Sequence, residues 1–114
     1  MSNLLHITSV EQWAASQSNG VHIDPSLESE GFIHCSGPDQ ITATASRFFE
    51  GRTNLLLLHV DPERLTSPLV YEDSYGHGKF PHLYGPLNLD AVIDAVPFPP
   101  DDDGSFRLPP QLIG

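Results

Sequence analysis

Runs of apolar residues separated by turn signals predict a sheet of short strands in this chain. Four consecutive leucines at 55–58 open a run that ends at Val60, a pattern typical of a strand buried on both faces. Shorter apolar stretches at residues 4–8, 69–72 and 91–98 predict three further strands. We expect the leucine run to be the central strand, because four leucines exposed at an edge would promote aggregation.

Helix signals are concentrated in the N-terminal half of the chain. The sequence S-V-E-Q at residues 9–12 matches a capping box, and the helix that it begins is expected to stop at Gly20. Apolar residues at helical spacing predict a second helix over residues 36–50. Asp24 and Pro25 form another helix start, limited to one or two turns. Because strands outnumber helices, the pattern favours an α+β fold with a mixed or antiparallel sheet.

The length and the charge of the chain narrow its function class. With 114 residues the chain is expected to form one domain, residues 1–114, with an acidic, proline-rich strap from about residue 97. Fifteen acidic against five basic side chains give a net charge of -10, which disfavours nucleic acid and anionic membranes as partners. One cysteine excludes an internal disulfide, and no signal peptide or long apolar stretch is visible, so the sequence predicts a cytoplasmic protein.

Candidate chemistry is found in two apolar segments that a histidine interrupts, GFIHCS at residues 31–36 and FPHLYGP at residues 80–86. In an extended 32–36 segment, His34 and Ser36 share a face. Ser36 also precedes the predicted helix, whose free amides favour an anion. The alternative is that Ser36 only caps the helix and that His34 bonds a carbonyl group.

The second histidine segment has the same two interpretations. His82 and Tyr84 alternate onto one face between two prolines, and Glu72 ends the neighbouring predicted strand. We expect His34, Ser36 and Tyr84 to line one pocket, with His82 or Glu72 within hydrogen-bonding reach. The alternative is that His82 has only a structural role and that Glu72 is a solvated carboxylate at the end of its strand.

Other sites are disfavoured by spacing. The histidines and the cysteine lack the paired pattern of a structural zinc site, since His34 and Cys35 face opposite sides of a strand and His77 and His82 lie on a loop and a proline-rich segment. No metal is therefore predicted. Cys35 is expected to face the core, and neither a dinucleotide-binding glycine motif nor a phosphate-binding loop is present.

Several segments resemble the bacterial and plant DUF952 proteins across residues 4–98. The matching motifs are LLHIT, SLESEGFIHCS, FFEGRTNLLLLHVDPERL and FPHLYGPLNLDAV. That family is similar to the ADP-ribosyltransferase fold, including its RNA 2'-phosphotransferase branch. The resemblance implies one compact domain with a split antiparallel sheet and a cleft for a nicotinamide nucleotide.

The resemblance also implies residue roles. His34 would hold the ribose, and either Glu72 or His82 would fill the late catalytic position. We expect the ligand-binding residues to be Ser36, Tyr84, Arg47 and Gly85. NAD is the implied substrate, and no other cofactor is indicated.

The leading hypothesis is a small domain that binds NAD or ADP-ribose and transfers ADP-ribose through an oxocarbenium-like ribose. Two alternatives stay open: a binding module without catalysis, and a structural or interaction protein whose histidines are satisfied in the core.

Overall fold

Antiparallel strands and three helices make up the part of the chain that the computed structural model describes, residues 4–73, 76 and 78–110. The strands are β1 (Leu4–Ser9), β2 (Val21–His22), β3 (Ile33–His34), β4 (Leu55–Val60), β5 (Leu69–Asp73), β6 (Lys79–Leu83), β7 (Leu87–Asn88) and β8 (Val92–Pro97). The helices are α1 (Val10–Asn19), α2 (Pro25–Glu30) and α3 (Ile41–Phe48). The prediction of an α+β fold with antiparallel pairing is confirmed. None of the described helices has the length and apolar character needed to cross a membrane.

The leucine run forms the middle strand of the first sheet, whose order is β1-β4-β8. Leu57 lies opposite Ile7 on one side and Val96 on the other. Leu57 and Leu58 are fully buried, and Leu56 is half-buried. The prediction of a central strand at Leu55–Val60 is therefore confirmed.

Two further sheets carry the histidine segments. One has the order β3-β6-β5, with His34 directly opposite His82, and the other pairs β2 with β7, with His22 opposite Leu87. Just beyond β3, the backbone of Ser36 pairs with that of Leu5 through two hydrogen bonds of 2.8 Å. This bridge brings the end of β3 against β1.

The helix-start signals of the first two helices act as predicted. The Ser9 hydroxyl accepts the amide hydrogen of Gln12 at 3.1 Å, and α1 ends at Gly20 in the left-handed conformation, where a side chain would be strained. The Asp24 carboxylate accepts the amide hydrogen of Ser26 at 3.1 Å and so begins α2. These caps fix both ends of the segment that carries β2.

The predicted helix over residues 36–50 is wrong at both ends, because α3 spans only Ile41–Phe48. The backbone of Ser36 is engaged by Leu5, and the Gln40 side chain accepts the Gly37 amide hydrogen at 2.9 Å. These bonds hold residues 37–40 in a turn. The strand predicted over residues 32–36 is likewise shorter, since regular pairing covers only Ile33–His34.

Two apolar clusters stabilise this arrangement. The first lies between α3, β1 and β4, and it includes Phe98 and Phe106, whose rings are 5.2 Å apart. The second joins β3, β6 and β7 around Ile33 and Leu83. Phe106 and Leu108 anchor the C-terminal strap against the first cluster.

Candidate functional site

A cleft of about 290 Å³ opens where α3 faces the junction of β1 and β3. Its aromatic lining residues are Phe48, Phe49 and Phe80. Its polar lining residues are His6, Asp24, Glu30, His34, Ser36, Thr44 and Arg47. Both charge signs are present, with two carboxylates toward α2 and one guanidinium on the last turn of α3. The cleft can therefore contact a ligand that has both a planar ring and charged groups.

His34 lies in the cleft, where the sequence predicted a functional residue. Its Nε2 is 2.9 Å from Oε2 of Glu30, and the side chains are 36% and 32% exposed. The Phe32 ring packs against the His34 ring edge-to-face, with centroids 4.8 Å apart. His34 is thus oriented from two sides and still reachable from solvent.

Ser36 also lines the cleft, but its environment is not the one predicted. Because α3 begins at Ile41, Ser36 does not lie at the start of a helix. The residue is 2% exposed, and its hydroxyl is 3.4 Å from that of Thr44. The prediction of a helix N-terminal anion site at Ser36 is therefore wrong.

Arg47 and Phe48 form the α3 side of the cleft. The guanidinium carbon of Arg47 is 5.8 Å from the centre of the Phe48 ring, and the Phe48 side chain is 55% exposed. An exposed aromatic ring next to a cation is suited to stacking on a planar ligand whose anionic group reaches the arginine.

Glu72, His82 and Tyr84 form a separate hydrogen-bonded group. His82 Nδ1 and the Tyr84 hydroxyl both donate to Glu72 Oε1, the first at 2.9 Å. The bond from Tyr84, followed by that from His82, holds the pKa of the Glu72 carboxyl below its ordinary value, and the same bond raises the pKa of Tyr84. The group follows from the predicted alternation of His82 and Tyr84 on one face.

This group does not belong to the cleft, so the prediction of a single pocket is wrong. Within the described residues, Glu72, His82 and Tyr84 are absent from the cleft lining. The Phe32 ring contacts both groups, because it stacks on His82 with ring centroids 4.0 Å apart and packs at a steep angle against His34. The His34 and His82 rings remain neighbours, with centroids 5.4 Å apart.

Gly85 and Cys35 have structural roles, Gly85 between two loops and Cys35 in the core. A Cβ at Gly85 would lie 2.4 Å from the Ser67 hydroxyl oxygen, so the glycine permits a close approach of two loops and does not line the cleft. Cys35 is 3% exposed, and burial, followed by the Asp24 charge, raises the pKa of its thiol to about 12. A thiol with that pKa stays protonated and is a poor nucleophile at neutral pH, consistent with the predicted core orientation.

A buried cluster of His6, His22 and Asp24 lies at the inner side of the cleft, and sequence reasoning missed it. The two Nε2 atoms are 3.2 Å apart, and Oδ1 of Asp24 is 3.4 Å from Nε2 of His6. His22 is fully buried, His6 is 3% exposed, and the Asp24 side chain is 18% exposed. The ligand-type atoms of the three side chains all lie within 4.8 Å of one another, close enough for one metal ion.

The cluster perturbs the titration of two of its members. Burial, followed by the nearby charge of His6, lowers the pKa of His22 to about 4. Burial alone would raise the pKa of the Asp24 carboxyl, but hydrogen bonds and charge from His6, with further bonds from Ser26, hold it below its ordinary value. His22 is therefore neutral and Asp24 ionised at neutral pH.

Two signals in the sequence point to these residues in retrospect. His6 interrupts the apolar first strand, and His22 stands two positions before Asp24 in an extended segment. The metal-binding candidates apparent from spacing were His34, Cys35, His77 and His82 instead. Of these, His77 lies outside the described residues.

Substituting His34 by alanine tests whether it is a cleft residue or a structural one. We expect His34→Ala to lower the free energy of unfolding by about 1 kcal/mol or less, because its hydrogen bond with Glu30 is partly exposed. His82→Ala is the matched comparison. We expect it to cost about 1–3 kcal/mol, because His82 is buried and bonded to Glu72. Thermal or chemical denaturation measures both, and a larger loss for His34→Ala would show that His34 is structural.

Comparisons with known proteins place the chain in a family. The family profile described as "Protein of unknown function (DUF952)" matches residues 7–95. A crystal structure of protein CC0527 from Caulobacter crescentus is 36% identical, with a TM-score of 0.84 over 93% of this chain and 94% of that one. Its solution NMR structure is 36% identical, with a TM-score of 0.81 over 93% and 92% of the two chains. No curated protein matches significantly. Together with the motifs at residues 31–36 and 80–86, these matches show that the chain belongs to the DUF952 family.

Proposed function

We propose that the cleft between α3 and the β1–β3 junction binds a nucleotide of the NAD or ADP-ribose type. The observation that carries the proposal is the pairing of exposed Phe48 with Arg47 at one side of the cleft and His34 with Glu30 at the other. An aromatic platform suits a base, a guanidinium suits a phosphate, and a histidine–carboxylate pair suits ribose hydroxyls.

The size of the cleft supports a specific mode of binding. A volume of about 290 Å³ lies at the lower end of the ~300–1,000 Å³ range of small-molecule pockets. Such a cleft encloses one base and its ribose and leaves the rest of a dinucleotide at the surface. Stacking of the base contributes about 1–3 kcal/mol in comparable nucleic-acid sites.

The charge distribution also favours a small nucleotide over RNA as the ligand. The net charge of the chain is -10, and Arg47 is the cation among the described residues that line the cleft. A single guanidinium can hold one phosphate group, whereas a phosphate backbone requires several such contacts. A small nucleotide is therefore favoured over a 2'-phosphorylated RNA.

ADP-ribosyl transfer is a second candidate function, and the Glu30–His34 pair is the observation that favours it. In such a step the bond between ribose C1 and nicotinamide breaks, and nicotinamide leaves with the bonding electrons. An acceptor hydroxyl then bonds to C1 and gives its proton to a carboxylate, for which Glu30 is placed in the cleft. Glu72 and His82, which the family resemblance implied for this role, lie outside the cleft.

Calorimetric titration of the full chain with NAD, ADP-ribose, AMP and a 2'-phosphorylated oligonucleotide tests the proposal. We expect saturable binding of NAD or ADP-ribose, detectable binding of AMP, and weaker binding of the oligonucleotide. The absence of binding by all four at millimolar concentration would overturn the nucleotide function. Chromatography of the NAD mixture distinguishes turnover, which releases nicotinamide, from binding alone.

A further inference from the structure

We propose that His6, His22 and Asp24 bind one divalent transition-metal ion of the zinc class, through Nε2 of both imidazoles and Oδ1 of the carboxylate. The proposal goes beyond nucleotide binding and does not depend on it. It rests on two observations. These three atoms lie close together, and the other polar atom of each side chain (Nδ1 of each imidazole and Oδ2 of the carboxylate) already makes a hydrogen bond elsewhere.

A hydrogen bond to a backbone carbonyl shows which ring nitrogen of His6 is protonated. Nδ1 of His6 lies 2.6 Å from the carbonyl oxygen of His34, and a carbonyl oxygen only accepts. Nδ1 therefore carries a hydrogen and donates it. Nε2 points toward His22 and Asp24, and it carries either a second proton, which makes the ring cationic, or a free lone pair that can bind a metal ion.

A hydrogen bond to Ser16 of α1 shows in the same way which ring nitrogen of His22 is protonated. The Ser16 hydroxyl donates to the carbonyl oxygen of Gln12 at 2.9 Å, which uses its one hydrogen. The contact between Ser16 Oγ and His22 Nδ1 is then a bond that the imidazole donates. His22 Nε2 is left with a lone pair that faces Nε2 of His6 at 3.2 Å.

The lone pair of His22 and the Asp24 carboxylate oxygen require a positive charge beside them, which is supplied either by a proton on His6 Nε2 or by a bound metal ion. The third ligand is anchored as well, because Oδ2 of Asp24 accepts from the amide and the hydroxyl of Ser26 at 3.1 and 2.8 Å. Metal sites in proteins have this construction, in which each ligand donates or accepts a second bond that fixes its orientation.

The two separations measured from His6 fit a tetrahedral ion, and all three ligand-type atoms lie within 4.8 Å of one another. With metal–ligand distances of about 2.0–2.1 Å, neighbouring ligands of tetrahedral zinc are about 3.3 Å apart. The separations from His6 Nε2 are 3.2 Å to His22 and 3.4 Å to Asp24. His6 and Asp24 also line the cleft. Three protein ligands with a fourth position toward a cleft are typical of zinc that binds water or a ligand oxygen.

Titration of the chelator-treated full chain with Zn²⁺ and with Mg²⁺, followed by calorimetry, tests the proposal. We expect one equivalent of Zn²⁺ to bind at least ten times more tightly than Mg²⁺, because nitrogen ligands prefer the softer ion. No saturable Zn²⁺ binding, or equal affinity for the two ions, would overturn the proposal.

Variants locate the ion. Asp24→Asn keeps a side chain able to cap α2, so the fold is retained, and we expect it to weaken Zn²⁺ binding at least tenfold. Ser16→Ala, which removes the partner of His22, should weaken it by about 10–100-fold. His59→Gln removes a histidine from β4 outside the cluster and is the matched control, for which the affinity should stay unchanged.

Histidine ring ¹⁵N spectra supply the direct readout. Binding of Zn²⁺ should shift the Nε2 resonances of His6 and His22 while their Nδ1 atoms stay protonated. If Asp24→Asn binds Zn²⁺ as well as the parent chain does, or if the two Nε2 resonances do not move, the charge in the cluster is a proton and the proposal is wrong.

Discussion

Leu57→Ala is expected to lower the free energy of unfolding by about 2–5 kcal/mol, the range for deleting a fully buried leucine side chain. Leu57 is 0% exposed in the middle strand of the first sheet, where it lies between Ile7 and Val96. It belongs to the apolar cluster that holds α3 against β1 and β4. Urea denaturation followed by circular dichroism measures the change.

Leu56→Ala is the control for that prediction. Leu56 precedes Leu57 in the same strand but points to the opposite side and is only half-buried. Leu56→Ala should therefore lower the free energy of unfolding clearly less than Leu57→Ala does. Equal losses at the two positions would contradict the assignment of Leu57 to the core that supports α3 and the cleft.

Local signals in the sequence determine much of this fold. The four leucines predict the central strand, because a strand covered on both faces has apolar residues at successive positions, whereas a strand with one solvated face alternates apolar and polar residues. The capping residues Ser9 and Asp24 predict where α1 and α2 begin, because each satisfies an amide group that its own helix leaves free. Such features depend on neighbours in the chain, so they can be recognised without the tertiary structure.

The errors arise where tertiary pairing competes with local preference. Periodicity extends α3 back to residue 36, but the Ser36 backbone pairs with Leu5, more than thirty residues away in sequence. Alternation places His82 and Tyr84 on one face correctly. It cannot show that the Phe32 ring stacks on His82, or that neither His82 nor Tyr84 is among the described residues that line the cleft.

The His6–His22–Asp24 cluster could not be predicted by spacing for the same reason. Metal-binding motifs are recognised when ligands are close in sequence, as in paired Cys or His residues. Here His6 comes from β1, whereas His22 and Asp24 flank the turn into α2. The pairing of His22 with Leu87 fixes β2 against β7, and only the folded chain brings the His22 ring to His6.

Arg47→Ala is expected to weaken binding of ADP-ribose and NAD about tenfold or more. A hydrogen bond to a charged group contributes about 1.5–3 kcal/mol, and about 1.4 kcal/mol corresponds to a tenfold change in affinity. Arg47 is exposed on α3, so its removal should leave the stability nearly unchanged. Calorimetry on the variant and on the parent chain measures the change.

Arg52→Ala is the matched control for Arg47. Its guanidinium carbon also lies 5.8 Å from a phenylalanine ring, that of Phe49, but Arg52 is not among the described residues that line the cleft. Its loss should leave the affinity for ADP-ribose unchanged. A comparable decrease in the two variants would mean that the loss of any positive charge weakens binding of the anionic ligand, and that Arg47 makes no specific contact with it.

Amide chemical shifts during titration with ADP-ribose show residue by residue whether the cleft binds the nucleotide, because a chain of 114 residues is well suited to solution NMR. If the cleft binds the nucleotide, the largest shifts will occur at His34, Ser36, Arg47 and Phe48, and they will saturate with one equivalent bound. Shifts confined to Glu72, His82 and Tyr84, or no shifts at millimolar ligand, would mean that the cleft is not a nucleotide-binding site.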